Sequence, residues 1–347
     1  MASITNQSPI LITSQLATKA NDKKIEHWKI YALGGGLGHL QRSLALARAA
    51  IHKGHYVDII CNSRFSNFIP WRSELGESGF LTFINNKSSI KKTSESVIKW
   101  ITSNHYDRLI IDTFPRGIAG ELKDIIKSIR KPKTLIHRDL NPSYVKTFNI
   151  KGFIENYDLI IVPGETNPIK DITKFSFCHS TDPWLIRNYN EIKDKKLARI
   201  KLEMGLDDQQ PLAIIPVTGN LDEERLFLKL KSELKHSTSG WVIKTVSPIP
   251  NIADLRIWPL IEMINGVDMM IGAGGYNTVS EAKVTRTPFI GYPLSRLYDR
   301  QEKRLKDVEI CTQINEISKF FREPTIRTDC KPFINGTFKA VELIEML

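Results

Sequence analysis

His39 closes the run Gly34-Gly35-Gly36-Leu37-Gly38-His39 and stands three residues before Arg42. An imidazole titrates near neutrality and can take a proton from a hydroxyl. Glycines such as Gly36 and Gly38 let a substrate come close to the backbone. A histidine packed under the following helix fits the same spacing. Asp112 ends the apolar run Leu109-Ile110-Ile111 and is followed by Thr113-Phe114-Pro115-Arg116-Gly117. Such a carboxylate could orient a base or cap a helix starting near Gly117. Arg116, like Arg42, could meet a phosphate or another anion, or be a plain surface charge. His137-Arg138-Asp139 follows a further apolar run, where Asp139 or Asn141 could touch a bound substrate. The triplet has the kinase spelling, but no glycine-rich loop, lysine or D-F-G accompanies it in kinase order.

A second constellation runs from Gly272 to Gln301. An apolar strand, Val267 to Ile271, breaks into Gly272, Gly274 and Gly275, and after Tyr276 a helical segment follows from Asn277 to Val284 with Thr278 in its first turn. Glycines at a helix start gather backbone N–H groups at the positive end of the helix dipole, which suits a phosphate. Glu281 lies one turn along, where a carboxylate could accept from a ribose diol. After the strand Pro288 to Gly291 come Asp299, Arg300 and Gln301 at the start of another helix. Thr218-Gly219-Asn220 repeats the strand-to-helix turn upstream and offers a second set of amides. Trp258 precedes the turn before the Val267 strand, where a core position fits it.

The elements that must carry these residues alternate along the chain. Strands are expected at Trp28–Leu33, Tyr56–Cys61, Phe80–Ile84, Arg108–Ile111, Thr134–His137 and Leu159–Val162. Leu40, Leu44, Ala47 and Ile51 recur at helical spacing up to Gly54. Glu95–Thr102, Ile118–Ile129 and Tyr144–Glu155 are amphipathic. This is the alternation of a doubly wound α/β domain with right-handed crossovers. The pattern lapses near Thr181-Asp182-Pro183, where a charged helical stretch, Asn190–Met204, follows. It resumes with strand Leu212–Val217, helix Asp222–Leu234 and strands Trp241–Thr245 and Leu255–Ile257. The expected division is a tail at 1–25, a first domain at 26–183, a second at 184–333 and a last helix at 334–347. A dinucleotide fold fits poorly, because His39 or Gln41 stands where G-x-G-x-x-G needs its third glycine, and the second strand ends in Cys61-Asn62 rather than an acid.

The second constellation resembles the donor half of GT-B glycosyltransferases, especially the family of the peptidoglycan N-acetylglucosaminyltransferase. The shared pattern is a small-residue corner, T-x-x-E, a strand ending in proline and D-R-Q, met here at Gly274, Gly275, Thr278, Glu281, Pro293, Asp299, Arg300 and Gln301. The resemblance implies a corner for the diphosphate, Glu281 on the ribose and the D-R-Q loop at the donor sugar. It also implies Thr218 and Gly219 at the phosphates and Trp258 near the base. Gly36-Leu37-Gly38-His39-x-x-Arg42 is similar to the first-loop signature of that family and to the G-x-G-H-x-x-R of UDP-sugar hydrolases. Plant-type UDP-glycosyltransferases pair such a histidine with an aspartate, which implies His39 as base and Asp112 as its partner. The implied function is transfer of a sugar from a UDP-sugar to an unknown hydroxyl acceptor, with the nucleotide-sugar as substrate and no cofactor. A hydrolase using water and a non-catalytic nucleotide-sugar binder are the alternatives. No D-x-D triplet stands in a suitable loop, consistent with a metal-independent site. Residues 65–106 match nothing in the resemblance, so the acceptor is not legible.

With 347 residues, 41% hydrophobic and 25% charged, the chain reads as two soluble globular domains. The net charge of +11 favours anionic partners. The basic residues are scattered, which argues against nucleic acid and leaves room for a lipid-linked acceptor and peripheral contact with the inner membrane. Four separated cysteines, with no C-x-x-C, fit a reducing cytosol. The apolar run Ile10–Ile12 is too short for a signal core, and nothing nears the roughly 20 apolar residues of a span. A cytoplasmic location is expected.

Overall fold

The computed structural model describes residues 24–85, 87–164, 175–205, 209–218, 221–306, 308–311, 313–321 and 327–347. In the first domain the strands are β1 (His27–Ala32), β2 (Tyr56–Cys61), β3 (Gly79–Phe83), β4 (Arg108–Asp112), β5 (Lys133–Ile136), β6 (Leu159–Pro163) and β7 (Cys178–Thr181). They form one sheet in the order β3-β2-β1-β4-β5-β6-β7, parallel throughout. Parallel strands buried on both faces read as near-continuous apolar runs, and Leu-Ile-Ile in β4 and Leu-Ile-Ile-Val in β6 are buried at every position. Ile30 pairs with Ile59 on one side and Ile110 on the other, which fixes the register at the centre.

The helices of this domain are α1 (Leu37–His52), α2 (Trp71–Leu75), α3 (Ile90–Thr102), α4 (Pro142–Thr147) and α5 (Ile150–Ile154). Alternate β1 residues feed opposite cores. Trp28 and Ile30 pack with Leu40 and Leu44 of α1, while Tyr31 and Leu33 pack with Val97 and Ile101 of α3. Two amphipathic stretches depart from expectation. Ile118–Ile129 forms no α-helix, only a 3-10 turn at Ile126–Ser128. Its backbone is diverted by Gly117 and Gly120 at positive φ, by Ile118 N–H donating to the Tyr31 hydroxyl, and by Ala119 N–H donating to the Glu121 carboxylate. Tyr144–Glu155 is split into α4 and α5 by Asn149 in the left-handed region.

In the second domain, α6 (Lys195–Lys201) leads to β8 (Leu212–Pro216), α7 (Leu221–Ser237), β9 (Val242–Ser247), β10 (Leu255–Arg256) and β11 (Met269–Gly272). Then come α8 (Tyr276–Thr285), β12 (Phe289–Gly291), α9 (Gln301–Arg304), β13 (Glu309–Ile310) and α10 (Thr337–Glu345). The sheet order is β10-β9-β8-β11-β12-β13, again parallel. Leu212 and Ile214 face α6 and α8; Ala213 and Ile215 face α7. The charged stretch Asn190–Met204 is α-helical only over α6, with a 3-10 turn at Tyr189–Glu191 before it.

α10 returns to the first domain, where Ala340, Val341 and Ile344 join the α1 core. His55 Nε2 lies 2.8 Å from Glu345 Oε1, and Arg108 donates to the Glu345 carbonyl at 3.3 Å. At Gly336 a Cβ would stand 1.9 Å from the Asp182 carbonyl oxygen, so a side chain there would hold the helix away. Among the described residues no helix is long and apolar enough to cross a membrane.

Each sheet reverses its winding once, between β1 and β4 and between β8 and β11. Ligands of open α/β sheets sit beyond the carboxyl ends of strands at such points. His39, Asp112, Thr218 and the Gly272 corner all follow these four strands, and a single cleft lies between the two switch points.

Candidate active site

The loop after β1 is held by Asn62, whose side-chain oxygen accepts from the N–H groups of Gly34 and Gly35 at 2.8 Å each. His39, in the first turn of α1, lies back over Gly34; a Cβ at that glycine would be 2.0 Å from the imidazole Cδ2. The ring stacks on Phe114 at 5.4 Å. Its Nδ1 is 2.6 Å from Asp112 Oδ2. Arg42, one turn further along α1, grips the same carboxylate with Nε at 2.7 Å and Nη2 at 2.6 Å.

Asp112 is fully buried. Burial alone would raise its pKa, but the Arg42 guanidinium and the His39 hydrogen bond outweigh it and hold the carboxyl well below the usual range. His39 is displaced below its ordinary value of 6.5, because burial outweighs the nearby carboxylate. An ionised Asp112 can only accept, so Nδ1 carries the proton and Nε2 keeps a lone pair. The imidazole is thus neutral and oriented on the cleft wall, with Nε2 able to accept a proton.

Across the cleft, α8 starts at Gly275 with no side-chain cap and no acid in its first turn. α1 starts at Gly36 in the same condition. The two starts meet: Asn277 Nδ2 donates to the Gly38 carbonyl at 3.3 Å, and Gln41 Nε2 donates to Glu281 Oε1 at 2.6 Å. Two positive helix ends with uncapped N–H groups therefore converge, which favours an anion. Thr218 lines the cleft before α7, and Gly219 lies outside the described residues. The first turn of α7 already carries Asp222, Glu223 and Glu224, so it is a poorer anion seat than α8. Arg296 binds Glu223, and Arg64 binds Glu224.

Glu281 is 4% exposed, and burial lifts its pKa to about 7 despite the Gln41 hydrogen bond. Gly275, Tyr276, Asn277 and Thr278 line the cleft. Gly274 serves packing instead, since a Cβ there would meet Gln301 at 2.9 Å. The D-R-Q loop is stitched to the first domain. Arg300 binds Asp139, Asn141 N–H donates to the Tyr298 carbonyl at 3.0 Å, and Leu140 and Asp299 form an antiparallel bridge. Asp299 accepts from Arg304 at 2.7 Å and lies 3.6 Å from Arg138. Burial would raise its pKa, but these arginines bring it to about 2. Gln301 accepts from Leu294 N–H at 2.9 Å. Trp258 lines the cleft and donates through Nε1 to Glu74 at 3.0 Å, a carboxylate also held by Arg187.

Two arginines singled out in the sequence are placed elsewhere. Arg42 is fully buried beneath Asp112 and acts on the carboxylate. Arg116 turns away from the cleft, because its guanidinium packs over Phe148 and Phe153 and donates to the Phe148 carbonyl. Gln41 and Asn62 enter the sequence reading only as departures from the dinucleotide fingerprint, and Glu74 not at all, since each acts through a partner far along the chain.

The cleft is about 820 Å³, within the range of small-molecule sites and large enough for a nucleotide-sugar. No protein-family model matches the chain, and neither does any curated protein. Solved structures do. The glycotransferase of kitacinnamycin superposes with a TM-score of 0.59 at 13% identity, covering 93% of this chain and 99% of that one. Arabidopsis thaliana UGT89C1 complexed with UDP gives 0.57 at 11% identity, covering 93% and 94%. Acinetobacter baumannii MurG gives 0.54 at 16% identity, covering 93% and 100%. The chain has the two-domain GT-B fold. At these identities the likeness is one of architecture.

Proposed function

We propose that this protein is a glycosyltransferase that moves a sugar from a nucleoside diphosphate sugar, with UDP as the expected nucleotide, to a hydroxyl acceptor. The observation that carries the reading is His39, neutral and oriented by ionised Asp112, sharing one cleft with the uncapped starts of α1 and α8. The dyad supplies a base, and the helix ends supply an anion seat.

In the proposed reaction the acceptor hydroxyl gives its proton to His39 Nε2 as its oxygen bonds to the anomeric carbon. The bond from that carbon to the diphosphate oxygen breaks, and its electron pair leaves with the diphosphate. Asp112 stabilises the imidazolium that forms, and Arg42 keeps Asp112 ionised. Amides at Tyr276, Asn277 and Thr278 take up the charge on the leaving group, a role that needs no metal. Glu281 binds the ribose, and Trp258 flanks the base. Solved GT-B neighbours crystallised with UDP or thymidine diphosphate support a nucleotide in this cleft.

The test is a thermal-shift screen of nucleotides and nucleotide-sugars, followed by product analysis with His39→Ala as control. A ligand at 100 times its Kd stabilises by about 2.7 kcal/mol. Stabilisation by a nucleotide-sugar and loss of turnover in the variant are expected. Free sugar formed without an acceptor would assign a hydrolase. Binding of no nucleotide at all would sink the reading.

A further inference from the structure

We propose that Gln41, contributed by the first domain, is a second ribose-binding residue, and that with Glu281 it selects a ribonucleotide donor over its 2′-deoxy counterpart. The inference rests on the nucleotide-sugar reading of the cleft and adds a residue and a selectivity to it.

Gln41 is one turn into α1, is 9% exposed and lines the cleft with Glu281. Its amide joins Glu281 across 240 positions of sequence and across the two domains. The ionised Glu281 carboxylate, the form that would bind a ribose diol, only accepts, and the Gln41 amide nitrogen is the atom that faces it. That choice fixes the rest of the pair. Gln41 Oε1 and Glu281 Oε2 are both left as acceptors, and no protein donor reaches either among the described residues. One turn earlier on α8, Asn277 Nδ2 is spent on Gly38, while Asn277 Oδ1 is buried without a partner. The Gln41–Glu281 pair therefore turns two acceptor oxygens to the cleft, beside the donor N–H groups at the start of α8.

Among the oxygens of this wall only Asn277 Oδ1 is sealed from solvent; Gln41 Oε1 and Glu281 Oε2 belong to cleft-lining side chains, where a ligand hydroxyl can donate to them. A ribose presents two hydroxyls on adjacent carbons, each able to donate to one of two neighbouring acceptors. A 2′-deoxyribose presents one, so one acceptor of the Gln41–Glu281 pair would stay unsatisfied. Sites built to bond a hydroxyl reject the analogue without it far more strongly than apolar pockets reject a size change. If the Gln41–Glu281 contact were only a latch between domains, it would scale all nucleotides alike.

The experiment is calorimetric titration of the full chain with the best-binding ribonucleoside diphosphate of the four common bases and with its 2′-deoxy form. Wild type is expected to prefer the ribose form by roughly tenfold or more. Gln41→Met keeps the side-chain length without the polar head, and should bring the ratio close to one mainly by weakening the ribose form. Equal affinities in wild type would overturn the proposal with no variant needed. A ratio that persists in a folded Gln41→Met protein would reduce Gln41 to a latch. Binding of neither form would overturn the donor reading and this inference with it, whereas tight binding at an unchanged ratio overturns the inference alone.

Discussion

Arg42 holds both oxygens of Asp112, at 2.7 and 2.6 Å, and both side chains are fully buried. Removing one partner of such a pair strands a charge where water cannot reach it. Arg42→Met is expected to cost about 3–5 kcal/mol, measured by denaturant unfolding. Arg42→Lys should recover part of that, because an ammonium cannot bridge both oxygens. The pH dependence follows from the depressed Asp112 pKa. Its contribution is complete above the ordinary value of 3.8 and is lost only in stronger acid, as pH falls through the lower folded value. A loss below about 1 kcal/mol in Arg42→Met would mean that Asp112 is stabilised by something else.

His39 should set the acid limb of the pH–rate profile. Burial keeps its pKa under 6.5, so activity is expected to hold at neutral pH and fall only as the medium acidifies below that value. His39→Ala should lower kcat by roughly 10²- to 10⁴-fold. Asp112→Asn should also be slow, because an amide can impose the other tautomer on the ring. A rate that rises as pH drops below 6.5 would exclude a neutral imidazole as the base.

Gly34 offers a way to move His39 without deleting it. A Cβ placed there overlaps the imidazole at 2.0 Å, and the side chain rather than the backbone must yield. Gly34→Ala is therefore expected to reduce kcat nearly as far as His39→Ala while thermal unfolding shifts far less than for Arg42→Met. Unchanged turnover in Gly34→Ala would show that the ring reaches the acceptor from another rotamer.

What was legible in the sequence had local causes. The central strands are unbroken apolar runs, and their glycine exits lie within a few residues, so the His39 and Gly275 corners could be placed at strand ends, whereas the strand order that makes them switch points is set by tertiary pairing. Asp112 was found because it ends such a run. The helix expected at Ile118–Ile129 failed for a non-local reason: Tyr31, far upstream, takes its first N–H and hydrogen-bonds Glu121. The two readings of Arg116 could not be separated locally, because Phe148 and Phe153, which hold it, belong to a later element. Gln41 carried no sign of function, since its partner is 240 positions away. The return of α10 to the first domain depends on the close approach of Gly336 to Asp182, which no local pattern announces.

Glu281 gives a prediction with two readouts of one titration. In the unfolded chain its carboxyl titrates near 4.5, and in the folded protein burial raises it to about 7. Between those values the native state keeps a proton that the unfolded chain has released, so stability falls as pH rises. At about 1.4 kcal/mol per pH unit the difference amounts to roughly 3 kcal/mol. Glu281→Gln carries no charge at any pH. It should match wild type near pH 4.5 and exceed it by up to about 3 kcal/mol at pH 8 in urea unfolding. Donor binding should run the other way, because the ionised carboxylate is the better acceptor for a ribose diol. Affinity for a nucleotide-sugar, whose doubly esterified diphosphate holds a constant charge in this range, is expected to rise through pH 7 in wild type and to stay flat and weak in Glu281→Gln. A stability gap that does not change with pH would mean that Glu281 is ionised throughout. The opposed pH trends in stability and affinity would then vanish together.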